Sequence, residues 1–95
     1  MAVRITCINK DNGNHENPHL AITHLGWINE QTGKRGKNTR LEIYNWIKEG
    51  GEAYVLDGYR KIAVVTRTSS AGTHYVKTVA DGKETNNLLA LMECR

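Results

Sequence analysis

Nothing in this 95-residue chain approaches the roughly 20 consecutive apolar residues that cross a bilayer. There is no internal repeat and no low-complexity tract, which excludes solenoids and arrays. Cysteine is scarce: Cys7 and Cys94 stand near opposite ends, too few for a disulfide-stapled scaffold. Such a pair is expected as free thiols in the reducing cytosol. The single proline, Pro18, stops a helix from running through its neighbourhood. The opening residues, Met1-Ala-Val-Arg-Ile-Thr6, lack the long apolar centre of a signal peptide. A cytoplasmic protein without a membrane partner is therefore expected.

What is present suits one small domain over residues 1–95, with 39% hydrophobic residues to build a modest core. Val3, Ile5 and Cys7 alternate with Arg4 and Thr6, a half-buried strand over residues 2–9. Asp11-Asn-Gly-Asn-His15 ends it, and a second strand of alternating residues from Leu20 closes at Gly26. The polar, glycine-bearing stretch of about 28–38 reads as a mobile loop. Thr39-Arg-Leu-Glu42 is a reciprocal capping pair, and Gly50-Gly51 a stop, so a helix is predicted over 40–49. Its Ile43, Trp46 and Ile47 share one face. Trp46 is expected in the core and Trp27 as a lid over it. Strands follow at 53–56, 59–67 and 73–78, the first two joined by an Asp57-Gly58 turn. Asn87 to Met92 reads as a helical turn covering one end. The predicted class is α+β: β-β-α-β-β-β, with one main helix on a mostly antiparallel sheet and a short C-terminal helical turn.

Charge points weakly to anionic partners, with a net +3 and a pI near 9.0. Lys34, Arg35, Lys37 and Arg40 crowd one window that holds no acid. Alternation also puts Tyr59, Lys61, Ala63, Val65 and Arg67 on one strand face, joined by Tyr75 and Lys77 from the next strand. Cations for phosphates and tyrosines for stacking are how single strands are held, and any solvated sheet face offers a similar mixture. Zinc is a further candidate, through Cys7, His19 and Cys94 with His15 or His24. No paired-cysteine spacing supports it, and His15 to His19 spans the proline. A cysteine–histidine nucleophile lacks an orienting third group. Asp11, Glu16, Asp81 and Glu84 form no carboxylate pair, and Gly33-Lys-Arg-Gly36 is no phosphate-binding loop.

Several segments carry a family resemblance: Ile5-Thr-Cys-Ile-Asn-Lys-Asp11, Pro18-His19 with Ile22 and Gly26, Thr39 to Gly50 with Tyr54-Val55, Thr73 to Gly82, and Asn87 to Cys94. Together they resemble a family of small bacterial proteins catalogued as domain of unknown function 3892, over nearly the whole chain. The resemblance implies no activity. From Thr39 onward the element order also resembles the double-stranded-RNA-binding domain, but Ala80-Asp-Gly-Lys-Glu-Thr-Asn86 carries one lysine and two acids where that domain is lysine-rich. The expectation is a non-enzymatic binding module without a cofactor. Its expected partner is DNA or RNA, held by Lys34, Arg35, Lys37, Arg40, Tyr59, Lys61, Arg67, Tyr75 and Lys77. A protein-interaction or homo-oligomerising module is the alternative, and a zinc-binding domain the third reading.

Overall fold

The computed structural model describes residues 2–11 and 18–94. Along the chain lie β1 (Ala2–Lys10), a 3₁₀ turn (Pro18–Ala21), β2 (Ile22–Ile28), β3 (Arg35–Thr39) and α1 (Arg40–Lys48). Then come β4 (Glu52–Asp57), β5 (Arg60–Thr68), β6 (His74–Ala80), β7 (Lys83–Thr85) and β8 (Met92–Glu93). The sheet runs β3-β2-β1-β4-β5-β6-β7, with β8 also on β1. The pairings β1–β4 and β1–β8 are parallel and the rest antiparallel.

The α+β class is as expected; the element order is not. Within the stretch 28–38, expected to lack strands, β2 continues to Ile28 and residues 35–39 pair with it as β3. The link between them is a closed hairpin. The Asn29 amide donates to the Lys34 carbonyl, and the buried Asn29 side chain accepts from the amides of Gln31 and Thr32. At the other end, residues 87–90 form a hydrogen-bonded turn rather than a helix, and β8 follows. The likeness to the double-stranded-RNA-binding domain fails there. The β4–β5 turn is also shifted by one residue: Asp57 pairs with Arg60, so Gly58 and Tyr59 form the loop. Gly58 carries the positive φ of 64° that this tight hairpin needs at its first central position.

A bulge decides which side chains of β1 enter the core. Ile5 pairs with Trp27 and Cys7 with Gly26, leaving Thr6 as an extra residue. One inserted residue reverses the alternation. Val3, Ile5 and Ile8 are therefore the buried ones, and Cys7 faces away from them rather than with Val3 and Ile5. On the opposite edge, β1 pairs first with β4 at Ala2–Arg4 and then with β8 at Cys7–Ile8. The core gathers these residues with Leu25, Val55, Ile62 and Leu88 against α1.

The capping box predicted for α1 is present. The Glu42 amide donates to Thr39 Oγ1 (3.2 Å), and the Thr39 amide donates to Glu42 Oε1 (2.9 Å). Ile43 and Tyr44 are its buried residues. Tyr44 stacks on His74 of β6 with ring centroids 4.4 Å apart.

Cys7 and Cys94 are not free thiols: they form a disulfide, with Cα atoms 5.0 Å apart. The Cys94 amide donates to the Ile8 carbonyl and Asn9 Nδ2 donates to the Cys94 carbonyl, so the C-terminal segment is tied to β1 by these bonds and the disulfide as well as by β8 pairing. Gly26 does not close β2 but lets it pass this bond. A Cβ built there would lie 2.3 Å from Cys7 Sγ.

Candidate functional site

The register brings part of the expected basic face together, without Tyr59, and then neutralises much of it. Val65 pairs with Lys77 and Arg67 with Tyr75, so these side chains do share one face. Glu84, however, reaches that face from β7. It accepts from Arg67 Nε at 3.0 Å and lies 3.4 Å from Lys77 Nζ. The Arg67 and then the Lys77 hydrogen bond hold its carboxyl below the usual range.

Other members of the expected set are engaged elsewhere. Tyr75 is buried, with the His19 ring centroid 6.1 Å away. Tyr59 sits fully exposed on the hairpin loop, off the strand face. Lys61 Nζ lies 4.7 Å from the Tyr54 ring, a cation–π contact. Arg40 turns inward and donates to the carbonyls of Leu20 and Ile22 (2.5 and 3.4 Å). Lys34, Arg35 and Lys37 remain exposed along the hairpin and β3, without an ion pair among the described residues.

The zinc candidates do not converge. Both sulfurs are consumed in the disulfide, so neither offers a thiolate. His19 lies with Tyr75, and His15 falls outside the described residues. Among the described residues no three His, Cys, Asp or Glu side chains cluster.

His19 is 2% exposed, and burial pushes its pKa below the ordinary 6.5; the Lys77 charge adds to this and Glu84 opposes it. The imidazole is thus held neutral in the fold, while the unfolded chain takes up a proton near pH 6.5. Stability present above that pH is expected to fall as the pH drops toward the lowered folded value. Unfolding midpoints measured from about pH 7.5 to about pH 5.5 should decline, and less so in His19→Gln. An identical decline in the variant would show that His19 is not its source.

A different site emerges between α1 and the β2–β3 hairpin. A cavity of about 170 Å³ is lined by Val3, Trp27, Asn38, Glu42, Ile43 and Trp46. Both tryptophans of the chain border it, and each rests on a glycine. Trp27 on β2 pairs across from Gly36 on β3, where a Cβ would come within 2.5 Å of the indole. Trp46 lies against Gly51, where a Cβ would come within 2.4 Å. The Gly51 amide donates to the Trp46 carbonyl, fixing that approach. Trp27 Nε1 donates to Asn38 Oδ1 at 2.8 Å, so the orientation of this indole is set by a hydrogen bond as well as by contact. Neither ring is fully buried. The sequence shows the two tryptophans and the two glycines but not that they meet, because the Trp27–Gly36 contact depends on a hairpin register that a loop assignment hides.

No helix among the described residues is long and apolar enough to cross a membrane. Neither the curated proteins nor the solved structures offer a match to this chain. The sequence profile of the family described as "Protein of unknown function (DUF3892)" matches residues 4–92, and the chain belongs to that family.

Proposed function

We propose that this protein is a non-enzymatic binding module whose ligand site is the cleft between Trp27 and Trp46. One observation carries the reading: two indoles, each seated on a glycine, border the same cavity. Apolar, concave sites with a few placed polar groups are where small ligands bind. The apolar part here is Val3, Ile43 and the two rings; the polar part is Asn38 and Glu42. Glu42 is the one titratable group in the lining, and it already accepts from the Thr39 amide. The cleft thus offers binding without a nucleophile–base pair.

Nucleic-acid binding is the second reading, favoured by the exposed row Lys34, Arg35 and Lys37. It loses Arg67, Lys77, Arg40 and Tyr75 to internal contacts. A cytoplasmic setting would keep Cys7 and Cys94 reduced, so the redox state of this pair in the cell bears directly on the compartment.

The test is ¹⁵N NMR with a small-molecule fragment set and, separately, short oligonucleotides at two salt concentrations. Ligand-induced shifts centred on the two indole N–H signals and Ile43 are expected. Salt-sensitive shifts at Lys34, Arg35 and Lys37, with silent indoles, would move the function to nucleic acid.

A further inference from the structure

We infer that the two-indole cleft takes a small organic cation, a quaternary or highly alkylated ammonium group. This rests on that cleft being the ligand site, and goes beyond it by naming the ligand's charge and shape.

Three observations converge on a cation. First, the lining joins two indoles, the aromatic type with the strongest attraction for cations over its face. Second, the one charged residue in the lining is an acid, Glu42. Third, Arg35 and Lys37 of the same hairpin alternate onto the other side of the sheet. Gly36 and Asn38 share the Trp27 face of β3, so alternation sends Arg35 and Lys37 away from it. Arg35 borders the groove beside the disulfide, with Arg4 and Glu93, a groove that Trp27 also reaches from β2, whereas among the described residues no basic one lines the two-indole cleft itself.

The N-terminus of α1 would ordinarily draw anions to this spot. Here its capping groups are occupied by the chain itself: Thr39 Oγ1 accepts from the Glu42 amide, and Glu42 Oε1 accepts from the Thr39 amide. Hydrogen bonds from Thr39, and then from Asn38, hold the Glu42 carboxyl below the usual range, so it is ionised at neutral pH. A group such as ammonium, which needs several donors satisfied, would find few acceptors in a lining made largely of rings and aliphatic side chains. A methylated cation needs none, and its apolar shell matches the cavity wall.

The discriminating experiment compares choline with 3,3-dimethyl-1-butanol, its neutral counterpart of the same shape, by calorimetry and the indole N–H signals. Choline should shift Trp27 and Trp46 and bind about tenfold or more tightly than the alcohol. Glu42→Gln removes the charge while keeping an acceptor for the capping box, and should weaken choline about five- to tenfold with only a small fall in the unfolding midpoint, from losing the carboxylate that folding favours. Sedimentation with phosphatidylcholine vesicles separates a lipid head group from a free compound as the source of this chemistry.

Equal binding of choline and the alcohol would overturn the cation assignment and leave the cleft as a site for apolar ligands. Silence toward choline, with indole shifts from some other fragment, would do the same. If no compound of either kind moves the indole signals, the inference falls together with the proposed site.

Discussion

Reducing the Cys7–Cys94 disulfide is expected to lower the unfolding free energy by about 3–5 kcal/mol, among the largest effects available in this chain. The bond spans 87 residues, so it constrains nearly the whole unfolded ensemble. On the loop-closure account that alone is worth about 4.5 kcal/mol. The folded state should change little, because β8 pairing, the Cys94–Ile8 amide bond and the Asn9 side chain still hold the C-terminal segment. Guanidinium unfolding with and without reductant checks this. The midpoint should drop, and the denaturant slope should rise as the unlinked chain exposes more surface. Cys94→Ser should reproduce the drop without reductant. A midpoint indifferent to both would mean that the two sulfurs are not joined in solution.

Leu88→Ala is expected to cost about 2–5 kcal/mol, the range for emptying a fully buried leucine. Leu88 is completely buried and is the residue of the 87–90 turn that enters the main core. Its neighbours Leu89 and Leu91 are only partly buried. In the reduced protein the same substitution should cost less. With the covalent tie gone, the segment can leave as a unit while the remaining sheet stays folded. Denaturation of the single and combined variants measures that coupling. Full additivity would show that the segment and the sheet unfold together whether or not the bond is present.

Much of the fold was legible because its signals are local. The Thr39–Glu42 capping box fixed the start of α1 within one turn of chain. The shared face of Val65, Arg67, Tyr75 and Lys77 followed from alternation across a hairpin. What escaped reading was non-local. Nothing adjacent to Thr6 marks it as a bulge, yet that one residue sends Cys7 out of the core face and toward Cys94. The same blindness hid the fate of the basic face. Glu84 reads as one polar residue after the Asp81-Gly82 turn, but pairing opposite Val79 brings its carboxylate between Arg67 and Lys77. Residues 35–39 carry two basic side chains and a glycine, a poor strand by composition. Pairing with β2 overrides that weak propensity.

The bond between the chain's two ends also gives it the connectivity of a ring from residue 7 to residue 94. The peptide bonds beside Tyr59, the most exposed large side chain of the hairpin loop, therefore lie inside that ring. A protease cutting there opens the circle without releasing a piece. The nicked protein gains one water molecule, and its two segments stay covalently joined through the sulfurs. Release of a covalent fragment from within the ring would thus take a second event, either another backbone cut or reduction of the disulfide.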